Sequence, residues 1–234
     1  MIATFVNCGA VLLGSIIGCF FSTKINEEFK NTVYTSVGIF TLIIGMSMAL
    51  QSQRVLFLPL ALLVGGLIGN VMDVEGKIYS FGEFLKKRFA GGNSENSRNF
   101  SHGFLNASIL FCVGAMALVG SFKAGTEGDY SLIFIKSVMD GFVAILMSSV
   151  MGIGVAFSVI TILLYQGCIT ILAGLIKPWV SPLMLTELTA LGGALVLMIG
   201  FNLLQLKQIK TGNFIISIFV MVLLVLLVPE NFLQ

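Results

Sequence analysis

Residues 129–168, DYSLIFIKSVMDGFVAILMSSVMGIGVAFSVITILLYQGC, decide how this chain is read. The stretch is apolar enough to lie in lipid, yet it contains Lys136, Asp140, Ser148, Ser149, Ser158, Tyr165 and Gln166. Lys136 and Asp140 are four residues apart, so a helix places them on one face, one turn from each other. An ionisable residue inside a transmembrane segment is costly unless it is paired or faces a polar cavity, and it therefore marks a candidate site. Two readings follow. Asp140 binds a cation or proton while Lys136 takes an anionic group, or the two neutralise each other and hold helices together. Lys136, near the end of its span, also has the reach to snorkel to the interface.

Composition supports a bilayer setting for the whole chain. Of 234 residues, 57% are hydrophobic and 10% charged, with a mean hydropathy of +1.02, whereas soluble domains carry about 25% charged residues. An all-α polytopic membrane protein is expected, forming a single membrane domain over residues 1–234. Twenty-six glycines against four prolines suit helices packed closely in lipid. A net charge of +2 gives no reason to expect nucleic acid as a partner.

Catalytic and metal chemistry find little support. Cys8, Cys19, Cys112 and Cys168 all lie in apolar runs without zinc-ligand or disulfide-framework spacing. His102 is the single histidine, so one protomer cannot build a histidine metal site. No nucleophile–base pair, zincin motif or phosphate-cradling G-x-x-x-x-G-K-[ST] is present. The expectation is a protein that is not an enzyme and holds neither metal nor cofactor. Met1 runs directly into apolar sequence without a positive flank, so residues 2–21 read as a retained span and not a signal peptide.

Apolar segments of spanning length fall at 2–21, 32–50, 55–72, 102–122, 131–151, 155–175, 183–205 and 213–229. That predicts eight transmembrane helices, with seven as the alternative count. Only Gly152-Ile153-Gly154 separates the fifth and sixth, so broken or re-entrant helices are the alternative there. On eight spans, one side receives Lys24, Lys30, Lys77, Lys86, Lys87, Arg88, Arg98, Lys207 and Lys210; the other receives Arg54, Lys123 and Lys177. The excess of cations marks the cytoplasmic side and puts both termini outside the cytoplasm.

Residues 73–101 form the one sizeable polar segment. Val74, Ile78, Phe81, Leu85 and Phe89 share a helix face beside Lys86, Lys87 and Arg88. Such a helix lies at the interface with its cations at anionic lipid heads, or else it covers the protein's own cytoplasmic face. GGNSENSRN then reads as a link to the central helices of 102–154.

Residues 1–72 and 155–229 resemble two copies of one unit. Gly38 and Gly45 are seven apart in the second span, as are Gly193 and Gly200 in the seventh, each pair with similar apolar filling. Asn7-Cys8-Gly9 before Gly14 echoes Gln166-Gly167-Cys168 before Gly174. An offset of five spans is odd, so the copies would be inserted with opposite orientation, as in transporters that bind solute near the midplane between inverted repeats. The alternative is ordinary glycine spacing for helix packing. The candidate binding residues are Asp140, Lys136, Gln166, Asn7, Ser148, Ser158 and Glu187. Glu187 also fits a first-turn acid at a helix N-terminus.

At FCVGAM (111–116), KSVMDG (136–141), GIGVAFS (152–158) and LLYQG (163–167), the chain resembles an uncharacterised family of bacterial integral membrane proteins, the YqgA-type family of unknown function. The resemblance extends to GGALVLMIGFNLL and implies the bacterial cytoplasmic membrane. It implies no substrate or activity. The leading functional expectation is a secondary transporter of a small solute, coupled to a cation or proton. A channel or pore formed by a homodimer, and a non-transporting scaffold or partner of another membrane complex, are the alternatives.

Overall fold

The structure is a computed structural model, and it describes residues 1–22, 27–89, 97–112 and 115–228. Among these, every regular element is helical: α1 (Ile2–Ser22), α2 (Glu27–Ala49), α3 (Phe57–Val71), α4 (Val74–Phe89), α5 (Ser97–Cys112), α6 (Ala115–Thr126), α7 (Ser131–Met151), α8 (Ser158–Ile176), α9 (Pro182–Leu203) and α10 (Ser217–Leu227), with short 3-10 turns between some of them. By length and composition α1, α2, α7, α8 and α9 suffice to cross a membrane, and two bent pairs raise the number to seven. α3 and α4 meet at 58°, α5 and α6 at 56°. The segment 102–122, expected as one span, is thus two helices. α10 is shorter than its expected span because residues Thr211–Ile216 form a 3-10 turn.

The distribution of side chains is that of a protein solvated by hydrocarbon. On α1, Ile2, Phe5, Leu13, Ile16 and Phe20 point outward, and on α3 Leu63, Leu67 and Val71 do the same, while Asn7, Ser15, Lys136, Asp140, Gln166 and Glu187 are buried. Water would penalise that much contiguous apolar surface; lipid does not.

Glycine determines which helices touch. A Cβ added at Gly14 would lie 2.2 Å from the Gly141 carbonyl oxygen, and one at Gly18 2.2 Å from that of Ile145, so α1 lies against α7 almost backbone to backbone. The partners rise together along both helices, so α1 and α7 run parallel. α2 meets α9 in the opposite sense: Gly45 faces Leu197 and Gly193 faces Ala49, an antiparallel pair. Gly65 and Gly69 seat α3 against Ser217 and Asn213 in the same antiparallel way. α1 and α8 are also antiparallel, with Cys8 near Val159 and Gly167 near Met1.

Several local choices have visible causes. Asp129 Oδ1 accepts from the Ser131 N–H at 3.0 Å, opening the turn into α7; the Ser131 hydroxyl and N–H hold its carboxyl below the usual range. Gly152 adopts φ 76°, a left-handed conformation that ends α7. The following 3-10 turn leads into α8, so 131–176 holds two long helices in place of re-entrant ones. Ser181 caps α9 by accepting from the Met184 N–H at 3.1 Å, with Pro182 next to it.

α4 covers part of the protein's own face. Ile78 and Leu85 pack on Phe100 and Phe104 of α5, while Phe81 and Phe84 face outward. The side chains of Lys86, Lys87 and Arg88, expected at lipid heads, lie outside the described residues.

Candidate functional site

Asp140 is the tenth of the 21 residues of α7, so it sits at the middle of that span. Its Oδ2 accepts from Asn7 Nδ2 of α1 at 3.2 Å and from the Lys136 ammonium one turn back on its own helix. Lys136 Nζ also lies 5.9 Å from the centroid of the Phe111 ring, near the end of α5. All four side chains are buried. Two helices thus meet at one carboxylate, and a third places a ring against its lysine. The close α1–α7 approach at Gly14 and Gly18 brings Asn7, an amide at the foot of the same helix face, within reach of Asp140.

The knot is not fully satisfied. Asn7 Oδ1 is buried without a protein partner among the described residues, as are Thr4 Oγ1, Ser15 Oγ, Ser148 Oγ, Thr170 Oγ1 and both amide atoms of Gln166. Burying an amide or hydroxyl without a hydrogen bond costs about 1–3 kcal/mol, so these groups argue for a hydrated or ligand-bearing interior. Their placement follows from register. With α1 parallel to α7 in the Gly14–Gly141 and Gly18–Ile145 register, Thr4 lies near the first turn of α7, more than a turn before Lys136. With α1 antiparallel to α8 through the Cys8–Val159 and Met1–Gly167 contacts, Gln166 falls at the start of α1, about a turn from Thr4.

A polar cavity of about 950 Å³ opens from the opposite end of the helices. Asp73, Glu75 and Glu83 line it from the α3–α4 corner, with Tyr34, Lys210 and Asn202 opposite and Asn106 and Leu105 of α5 at its wall. Tyr79 and His102, hydrogen-bonded to each other, stand in the same wall. Glu75 accepts from the Gly212 N–H at 2.9 Å and donates its own N–H to Asn213 Oδ1 at 2.9 Å, locking the α4 entrance to the turn before α10. From Asn106 to Phe111 is five residues of α5, a rise of about 7.5 Å. The cavity therefore ends within two helical turns of the Lys136–Asp140 pair.

The sequence-derived residues divide. Lys136, Asp140 and Asn7 come together directly, whereas Gln166 lies opposite the start of α1. Ser148 is buried behind Gly18, two turns beyond Asp140. Ser158 donates to the Val155 carbonyl at 2.7 Å and so serves the entrance of its own helix. Glu187 stands apart: it accepts from Ser52 Oγ at 2.7 Å and from the Gln53 and Arg54 N–H groups at 2.8 and 2.9 Å, clamping the α2–α3 turn to α9. It is fully buried and beyond the first turn of α9, a geometry that differs from a plain first-turn acid. Phe111 and the cavity were not foreseen. Phe111 sits in a uniformly apolar run whose aromatic face carries no periodic signal, and the cavity joins residues more than 100 positions apart.

A family model described as a protein of unknown function, DUF554, matches residues 2–226. The chain is 26% identical over 224 residues to the uncharacterized membrane protein YdfK of Bacillus subtilis, covering 94% of this chain and 93% of that relative. It is 27% identical over 214 residues to the uncharacterized protein YqgA of Escherichia coli, covering 91% of each. No solved structure matches.

Proposed function

The chain belongs to the DUF554 family of proteins of unknown function, and from that premise we propose that it is a secondary transporter of a small solute, coupled to a cation or proton. The observation that carries this reading is a charged pair at mid-span, held between three helices and separated from a wide polar cavity by about two helical turns. A static helix-joining salt bridge needs no cavity near it. A transport site does.

The helix register supports an inverted repeat as the frame. Gly38 and Gly193 are 155 residues apart, as are Gly45 and Gly200. Moving every residue by that interval turns the Gly45–Leu197 contact into Gly200–Leu42, and Gly193–Ala49 into Gly38–Leu204; all four approaches occur. Any antiparallel helix pair has a local two-fold. What is specific is that the same interval carries α1, α2 and α3 closely onto α8, α9 and the 211–227 segment. Asn7 and Gln166, 159 apart, differ from that register by about one helical turn, which keeps them on equivalent faces. Alternation from α1 to α10 then gives eight crossings, with α5–α6 as one broken span, α4 lying on the cavity side, and both termini opposite it.

On this reading the cavity opens to the cytoplasm of a bacterial inner membrane, with the basic end of α4 at anionic lipid heads. A cysteine at Glu127, exposed in the α6–α7 loop, should react with an impermeant thiol reagent outside intact cells, and one at Lys210 should not; the reverse pattern would overturn the orientation. For function, purified protein in proteoliposomes should support saturable solute flux that depends on an ion gradient. Lys136→Met with Asp140→Asn, which removes both charges, should fold yet abolish that flux. Unitary currents without saturation would favour a channel, and silence under all gradients a scaffold.

A further inference from the structure

The Lys136 ammonium occupies a place that resembles a binding site for something else. It is held by one carboxylate oxygen of Asp140 and the face of Phe111, and the neighbouring Asn7 has an unpartnered amide oxygen. A carboxylate, an amide oxygen that a rotation about χ2 would present, and an aromatic face are ligands for a cation. The site carries a single negative charge, and among the described residues no group of three His, Cys, Asp or Glu side chains could hold a metal ion. A divalent ion would leave it unbalanced; one positive charge neutralises it.

Lys136 also has somewhere else to go. It reaches one turn along α7 to meet Asp140. Toward the start of α7, the direction in which helical side chains lean, lie Thr4 Oγ1 and the Gln166 amide, buried polar groups without protein partners. Leaving Asp140 therefore exchanges a charged partner for neutral hydrogen-bonding groups.

We propose that Lys136 is a tethered occupant of a monovalent-cation site formed by Asp140, Asn7 and Phe111, and that a free cation displaces it toward Thr4 and Gln166. The inference rests on the transport reading of the same site and specifies its ligand: an inorganic monovalent ion or a small primary ammonium, both of unit charge. A built-in competitor lowers apparent affinity by the fraction of time it holds the site, so removing it should raise affinity.

The test uses the purified full chain in detergent, with sodium or methylammonium chloride exchanged against N-methylglucamine chloride at constant ionic strength. Ligand that binds the folded state raises the unfolding midpoint. Lys136→Met should be stabilised at cation concentrations at least about tenfold lower than wild type, and Lys136→Met with Asp140→Asn should show no response. Gln166→Leu should weaken the wild-type response, because the displaced ammonium loses its acceptor, and leave the response of Lys136→Met unchanged. A purely structural role for Gln166 would shift both equally. Whether sodium or methylammonium acts at the lower concentration identifies the source of the charge. The proposal is overturned if Lys136→Met gains no cation response, or if the gain survives loss of Asp140. Should Lys136→Met not survive purification, Lys136→Arg decides: its guanidinium, held bidentately, should abolish the wild-type response, and a full response would sink the idea. Cation binding of this pattern without flux would keep the site and remove the transport reading; ion-driven flux without it would do the reverse.

Discussion

Asp140→Leu, with Lys136 left in place, is expected to cost about 3–5 kcal/mol of stability, enough to remove most folded protein from the membrane fraction. The reason is asymmetric. The intact pair is close to neutral in net energy, since the attraction between Lys136 and Asp140 offsets the desolvation of both. Removing the carboxylate leaves a buried ammonium without a counter-charge and also leaves Asn7 Nδ2 without its acceptor. Lys136→Met together with Asp140→Leu removes both charges and should recover most of the folded yield and thermal midpoint, as replacement of buried ion pairs by apolar side chains often does. Flux separates the two meanings of the pair. If the pair is a transport site, the double variant folds but stays silent in proteoliposomes. If it only joins helices, stability and flux return together, and that outcome would refute the site assignment.

Gly14→Leu should be nearly as damaging, with no charge involved. The first side-chain carbon would lie 2.2 Å from a backbone oxygen of α7, well inside contact distance and with no flexible side chain to yield. Separating α1 from α7 is the only relief, and it also draws Asn7 away from Asp140. The cost is expected above the 1–3 kcal/mol typical of overpacked cores. Gly9→Leu on the same helix is the control, because a Cβ there would meet nothing within 4 Å; it should change stability by no more than about 0.5 kcal/mol. Thermal unfolding of both variants in detergent checks this. Equal tolerance of the two would mean that α1 and α7 do not meet as described.

Much of the site was legible because its main members lie on one helix. The i,i+4 spacing of Lys136 and Asp140 is a local property, and α7 keeps it. Asn7 was legible as a polar residue in an apolar span, but its partner was not, since 133 residues separate the two. Glu187 shows the limit from the other side. Its position in the sequence suggested a helix-end acid, whereas three donors from the α2–α3 turn claim it in the fold. Phe111, Thr4 and the cavity wall gave no signal of their own.

By itself the sequence determined the solvent and the secondary structure: hydropathy summed over a window decides whether a segment enters lipid, and in lipid the backbone must satisfy its hydrogen bonds within the helix. It also determined the helix-breaking points at Gly152 and before Pro182, because φ preference and a missing N–H act on one residue at a time. Only the tertiary structure decided that α1 lies parallel to α7 and α2 antiparallel to α9, that 102–122 bends into two helices, and that one carboxylate collects an amide and an ammonium that lies against a ring. In a bilayer, apolar surface gives little preference between one helix face and another. The choice of neighbour falls to close backbone contact at glycines and to buried polar groups seeking partners, and both depend on residues far apart in the chain.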